Sequence, residues 1–368
     1  MRIAFYAPLK PPDHPIASGD RRVAQLLFEG LRRAGHQPFL ASRLRSYDGG
    51  GDADRQARLA ALGRGAADRL LRRWRERPQA APGLWFTYHL YYKAPDWLGP
   101  RVSAALRIPY LVAEASAAEK RAEGAWALGH RAVVEAIGRA DRVIGLNAAD
   151  RDGVLALLAD RNRWVFLPPF LDSAAYRVAE REGSGPPRLI AVAMMRHGDK
   201  LASYRVLAAA LAQLRDLQWS LEIVGDGPAR GEVERCFAPL AGRIVYAGAL
   251  ELAAVAARLA AADICVWPAV NEAFGMALLE AQASALPVVA GAGGGVAGII
   301  RPGVTGLLVP PGDAAAFAAG LRSLLRDPDR RAAMGRAARR NVLEQHDLGA
   351  AAGRLAGVTA GLEREPAR

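Results

Sequence analysis

Short apolar runs alternate with amphipathic stretches along almost the whole chain. Runs at 2–8, 38–42, 83–89, 110–113, 142–146 and 164–167 have the length and content of buried strands, and a second series follows at 189–193, 219–224, 243–247, 263–267, 287–290 and 306–309. Such runs are nearly continuous rather than alternating, which belongs to parallel sheets covered on both faces. Between them the period changes to that of a helix. Val23, Leu26, Leu27 and Leu31 share one face of a helix expected over 19–34; others are expected near 201–215, 228–238, 251–261 and 275–284, and throughout 313–344. Strand and helix in alternation predict an α/β fold with parallel sheets.

The two series are separated by Pro168-Pro169-Phe-Leu-Asp-Ser and by Gly183-Ser-Gly-Pro-Pro187, a Pro, Gly and Ser-rich interval that reads as a linker. The expected organisation is an N-terminal domain over 1–172, a linker over 173–187 and a second domain over 188–345. A helical tail over 346–368 is expected to pack back on the first domain.

With 368 residues, 51% of them hydrophobic, the chain is long enough for two full cores. No apolar run of the length a membrane helix needs, about 18 residues or more, is free of charge. Only Cys236 and Cys265 occur, one in a helical stretch and one in a core strand, so a disulfide framework is not expected and a cytoplasmic protein is. The net charge of +12 is uneven: residues 1–180 hold 28 Arg and Lys against 19 Asp and Glu, and most of the excess lies there. The densest stretch, 55–77, carries eight arginines, and its Leu59, Leu62, Leu70, Leu71 and Trp74 can share a helical face. That pattern permits docking on the inner face of a membrane; a solvated helix in an arginine-rich chain is the plain alternative. Nucleic acid is not an expected partner, because aromatic residues are not interleaved with the basic ones.

Glu272 and Glu280 lie eight residues apart, a little over two helical turns, with Phe274 and Gly275 between them. The strand at 263–267 precedes them and a glycine-rich stretch, 291–298, follows. A strand that feeds a helix N-terminus through a short polar loop is where doubly wound sheets bind ligands, and the unpaired amides there favour anions. Arg196 and Lys200 follow the first strand of the second series, and Gly225-Asp-Gly227 follows its second. A forked guanidinium and an ammonium suit phosphate oxygens, and carboxylates suit sugar diols. As plain structure, the same residues read as solvated charges and an ordinary turn.

In this order, Ala17-Ser-Gly19-Asp, Arg196-His-Gly-Asp-Lys200, Leu221-Glu-Ile-Val-Gly225-Asp-Gly-Pro228, Ile244-Val-Tyr-Ala-Gly248, the Glu-x7-Glu segment and Gly303-Val-Thr-Gly306 resemble a retaining glycosyltransferase of family 4. The resemblance is dense in the second half and thin in the first. It implies the GT-B architecture: two Rossmann-like domains with parallel sheets facing across a cleft. It implies a nucleotide sugar as donor, no cofactor and no metal, and a glycan, lipid-linked or small-molecule acceptor. By the same resemblance Arg196, Lys200 and Gly19 serve the donor diphosphate, although the Arg–Lys gap is one residue shorter than the family's. Glu280 receives the ribose hydroxyls; Glu272, with Phe274 and Gly275, receives the transferred sugar; Gly225, Gly248 and Leu250 line the base pocket. Many relatives have a histidine just after the strand equivalent to 110–113. This chain has Glu114, a candidate acid–base residue or a structural cap. His89 is a second catalytic candidate, with Lys93, Tyr88, Tyr91 and Tyr92 on the acceptor side. A non-catalytic nucleotide-sugar-binding protein, and an epimerase or phosphorylase on the same fold, are the competing expectations.

Overall fold

The computed structural model describes residues 1–16, 18–178 and 185–362. Ala17, residues 179–184 of the expected linker and the 363–368 end of the expected tail lie outside the described residues.

The chain forms two compact units. The first runs from Met1 to Pro168 and is completed by the chain from Leu348. It contains β1 (Arg2–Tyr6), α1 (Gly19–Arg33), β2 (Gln37–Ser42), α2 (Ala53–Glu76), β3 (Leu84–Leu90), α3 (Gly99–Leu106), β4 (Tyr110–Ala115), α4 (Ala127–Arg139), β5 (Arg142–Gly145), α5 (Arg151–Leu155) and β6 (Trp164–Phe166). The strands make one parallel sheet in the order β2-β1-β3-β4-β5-β6. β3 and β4 are buried almost end to end, as the continuous apolar runs require.

The second unit, Pro169 to Asp347, contains β7 (Arg188–Val192), α6 (Asp199–Ala212), β8 (Ser220–Val224), α7 (Arg230–Phe237), β9 (Ile244–Gly248), α8 (Leu252–Ala261), β10 (Ile264–Trp267), α9 (Met276–Ala283), β11 (Val288–Gly291), β12 (Gly306–Val309), α10 (Ala314–Arg326) and α11 (Pro328–Asn341). Its parallel sheet has the order β12-β11-β10-β7-β8-β9. The helical stretch expected over 313–344 is divided into two helices: Asp327 caps the second through the Arg330 amide and Pro328 opens it, so the first must end there. The last helix, α12 (Leu348–Ala360), belongs to the first unit; it packs on α1, and its Thr359 hydroxyl lies 2.8 Å from His36 Nε2.

In each sheet the strand order reverses once, between β1 and β3 in the first unit and between β7 and β10 in the second. Loops leaving the carboxyl ends of strands at such a point diverge to opposite faces and leave a crevice, which is where open α/β sheets take their ligands.

The arginine-rich helix α2 does not present the apolar face expected of it. Its buried side is Gln56, Ala60, Gly63, Ala67, Leu71 and Trp74, packed toward α3 and α4, while Leu62 is turned out at 56% exposed. The apolar groups that would enter a membrane are thus mostly spent on the core. No helix among the described residues is long and apolar enough to cross a membrane.

Behind the first reversal point, Asp96 is buried and fully partnered. Its Oδ1 accepts from the amides of Leu98 and Gly99 at 2.8 Å each, at the start of α3. Its Oδ2 accepts from the Thr87 hydroxyl and from Tyr110 Oη at 3.0 Å. One carboxylate so ties β3, β4 and α3 together. Asp96→Ala leaves several buried donors without a partner and should lower unfolding free energy by about 3 kcal/mol. Urea unfolding checks this, and a loss under about 1 kcal/mol contradicts it.

Candidate active site

At the first reversal point β1 leads, through a proline-containing loop, to the N-terminus of α1. Ser18 caps that helix, accepting the Arg21 amide at 3.2 Å, and nothing lies within 4 Å of the position a Gly19 side chain would take. Asp20, in the first turn, places Oδ1 3.2 Å from Nδ1 of His89 at the end of β3. His89 and Glu114 occupy matching places on neighbouring strands, between the paired Tyr88–Ala113 and Leu90–Ala115. Both have left-handed backbones, φ 63° and 57°. For non-glycine residues that conformation is strained and concentrates at functional sites. Two adjacent strands are therefore kinked at the same level, which takes the side chains of His89 and Glu114 out of the sheet's regular alternation.

The electrostatics follow from burial. Burial pushes the Glu114 carboxyl up to about 7, with Asp20 and Asp150 adding to the rise and His89 opposing it. Its Oε2 is fully sheltered and has no hydrogen-bond partner among the described residues. Burial pulls the His89 imidazole down, but Asp20 and Glu114 outweigh it and the ring titrates above its ordinary value. The His89 ring in turn holds the Asp20 carboxyl below its own ordinary value. Glu114 is a strand residue and caps no helix. Tyr88, at 1% exposed, belongs to the core and has no face free for a ligand; Tyr91 and Tyr92 are half-buried.

At the second reversal point β7 leads to Arg196 and to Lys200 in the first turn of α6, while β10 leads to Glu272. Lys200 Nζ donates to Glu272 Oε2 and sits 5.5 Å from the centroid of the Trp267 ring. Trp267 Nε1 donates to the same oxygen at 3.2 Å. With Oε2 so held, Oε1 carries no hydrogen bond among the described residues. The loop is anchored from α6 by Ser203 Oγ, which accepts the Val270 amide at 3.0 Å, and by Asp199, which accepts from Asn271 Nδ2 at 3.0 Å. Arg196 is exposed, and its guanidinium has no ion pair among the described residues.

Glycines set this geometry. A Cβ on Gly295 would lie 2.1 Å from the Ala273 carbonyl oxygen, so the glycine-rich turn can lie directly on the Glu272 loop. On Gly225 it would lie 1.9 Å from the Ala193 oxygen, beside the segment that carries Arg196. The Gly225-Asp-Gly227 turn thus has a structural reason of its own, and Gly225 also donates to the Gly248 carbonyl at 2.8 Å, with Leu250 half-buried beyond. Gly275, left-handed at φ 70°, begins α9, on which Phe274 borders and Glu280 stands one turn further in.

Each unit accordingly gathers part of the expected set: Gly19, His89 and Glu114 in the first, and Arg196, Lys200, Glu272, Phe274, Gly275 and Glu280 in the second. The sequence did not single out Asp20 or Trp267. Asp20 stood beside Gly19 in plain view, but only the strand order brings it to His89; Trp267 had the look of any core aromatic.

Two six-stranded parallel α/β units in series are the GT-B fold. HepE of Anabaena, solved in complex with UDP, superposes with a TM-score of 0.75 at 17% identity over 98% of this chain and 100% of that one. Residues 186–327 match the family described as Glycosyl transferases group 1. A D-inositol 3-phosphate glycosyltransferase of Kineococcus radiotolerans is 36% identical over 58% of this chain and 55% of its own length. The sulfoquinovosyl transferase SQD2 of Arabidopsis thaliana is 37% identical over 36% of this chain and 26% of its own. The chain thus spans about half the length of the one and a quarter of the other. The family match lies in the second unit, and both relatives are transferases to which this chain is similar over part of their length.

The raised Glu114 pKa carries a stability consequence. Between its ordinary value of 4.5 and about 7 the folded protein keeps a proton that the unfolded chain has released. Stability contributed by this group is therefore present at low pH and falls as pH rises through that window. Glu114→Gln should be more stable than the parent at about pH 8, by up to about 3 kcal/mol, and nearly equal to it at about pH 4. Denaturant titrations at both values test this; a variant less stable at the higher pH contradicts it.

Proposed function

We propose that the chain is a retaining glycosyltransferase of family 4 that moves a sugar from a nucleoside-diphosphate donor to an acceptor hydroxyl. The observation that carries the proposal is the group at the second reversal point, where Lys200 and Trp267 fix one oxygen of Glu272 and leave the other to accept a sugar hydroxyl. Arg196 beside it is a guanidinium without a counter-ion among the described residues, suited to diphosphate. The first-turn amides of α9 lie just beyond Gly275 and favour the same anion. Glu280, on that helix, takes the ribose hydroxyls, and Gly225, Gly248 and Leu250 border the base.

In the reaction the acceptor oxygen bonds to the anomeric carbon on the same face from which the diphosphate oxygen departs, the one bond forming as the other breaks, so that configuration is retained. Arg196, Lys200 and the helix amides stabilise the charge that develops on the leaving diphosphate, and charge stabilisation of this kind is commonly the largest contribution to such rates. Glu114 takes the acceptor proton. A carboxylate that titrates near 7 is matched to that task, being ionised for part of the population yet basic enough to accept. His89, which Asp20 and Glu114 bias toward its charged form, favours the ionised form of Glu114 in return. The leaving group is served by cationic side chains, and the scheme assigns no role to a metal.

Calorimetry with a panel of nucleoside diphosphates and nucleotide sugars tests the donor site. Arg196→Gln and Glu280→Gln should each weaken binding by roughly ten- to a hundred-fold, the worth of one charge-assisted hydrogen bond, without changing the melting temperature. Unaltered affinity in both removes the assignment. Turnover should persist in EDTA; abolition by chelator with rescue by manganese or magnesium contradicts the metal-free scheme.

A further inference from the structure

Beyond His89 a line of rings leads away from the reversal point. His89 and Tyr91 lie 5.0 Å apart between centroids, Tyr91 and Tyr92 5.6 Å, and Tyr92 and Trp126 5.6 Å. Two cations rest on the last two rings. Lys93 Nζ is 5.1 Å from the centroid of Trp126 and 5.8 Å from that of Tyr92. The Arg121 guanidinium carbon is 5.1 Å from both. Among the described residues neither cation reaches a carboxylate, and Arg121 Nε is sheltered from solvent with no acceptor. Elsewhere in the first unit arginines commonly find acids: Arg43 with Asp13, Arg101 with Asp68, Arg139 with Glu135. Two like charges held against the same rings, one with an orphaned donor, call for an anion.

The ledge is also rigidly built. Tyr92 and Lys93 are the central residues of a turn closed by the Ala94 amide on the Tyr91 carbonyl at 2.8 Å. Buried Asp48 donates its amide to the Lys93 carbonyl at 2.8 Å, and its own carbonyl accepts from Trp126 Nε1 at 3.3 Å. Buried Gln56 donates to Asp48 Oδ2 at 3.0 Å and to the Ala125 carbonyl at 2.7 Å. The Asp48 carboxylate accepts from the amides of Gly50 and Asp52 and faces Arg55 at 4.0 Å, and it makes no ion pair with Lys93 or Arg121 among the described residues.

We propose that Lys93 and Arg121, on the faces of Tyr92 and Trp126, form a seat for a phosphate group carried by the acceptor, with the acceptor's ring or chain lying along Tyr91 toward His89. This rests on the transferase reading above. The phosphate comes either from a soluble phosphorylated polyol or from a phospholipid headgroup; the chemistry of the seat is the same for both.

The test uses the full chain with Arg196→Gln as background, so that the donor-side cation does not compete. Inorganic phosphate and glycerol 3-phosphate are titrated at low ionic strength, followed by phosphorus NMR, with and without Lys93→Gln and Arg121→Gln together. The affinity should fall at least about ten-fold with the melting temperature unchanged. The charge-keeping pair Lys93→Arg and Arg121→Lys should retain most of it. Equal affinity in all forms, or no phosphate binding in the background protein, overturns the proposal. Flotation with phosphatidylcholine vesicles, with and without phosphatidylinositol, separates the two sources. Vesicle binding that needs phosphatidylinositol and is lost with Lys93 and Arg121 assigns a lipid headgroup; phosphate binding without it assigns a soluble acceptor. Nucleotide binding by the unsubstituted protein is measured alongside. Its absence, with the phosphate result intact, would retire the transferase reading and keep the anion seat.

Discussion

The reversal of strand order in each parallel sheet is the constraint on which the rest depends. A parallel strand can return to its sheet only through a crossover, and where successive crossovers pass to opposite faces the loops at the carboxyl edge part. In the first unit that parting falls between β1 and β3, and the residues at the ends of these strands and the next are Gly19, Asp20, His89 and Glu114. In the second it falls between β7 and β10, and it brings Lys200 to Glu272 across 72 positions of sequence. No local signal in either stretch announces that meeting; the topology enforces it.

The two reversal points treat charge differently. In the second unit a half-buried cation and the N–H of a buried indole satisfy one oxygen of Glu272. In the first, Asp20, His89 and Glu114 are packed together under strained backbone, and Glu114 retains an unpartnered oxygen. Such an arrangement is costly to folding and persists only where the surrounding structure over-determines it. Here the buried Asp96, through Thr87, Tyr110 and the start of α3, supplies that surrounding rigidity. A group kept near 7 in this way is poised for proton transfer, which an ordinary surface carboxylate is not.

Much of this was legible in the sequence, for identifiable reasons. Continuous apolar runs gave every strand to within a residue or two, because a doubly covered parallel strand has no polar face to confuse the pattern. The Glu272–Glu280 segment stood out because a glutamate, a glycine and a helix start follow a core strand in immediate succession. Other features depended on three dimensions. The helical content of 313–344 was legible, while its division at Asp327-Pro328 into α10 and α11 was not singled out. The buried face of α2 is shifted from the expected one because alanine and glycine line it beside Leu71 and Trp74, where Gly63 must let Trp97 approach, and Leu62 is left outside. Asp20 and Trp267 lacked any pattern of their own, and a histidine or glutamate at a strand end does not by itself announce a left-handed backbone.

The central claim, that Glu114 performs the proton transfer its environment equips it for, is tested most directly by the pH dependence of single-turnover sugar transfer. In the unsubstituted protein the rate should climb through about pH 7 as Glu114 ionises. In Glu114→Gln that limb should vanish and the rate should lie about 10²-fold lower or more, the usual scale for a positioned base. An undiminished rate in Glu114→Gln, with the same rising limb, would contradict the account.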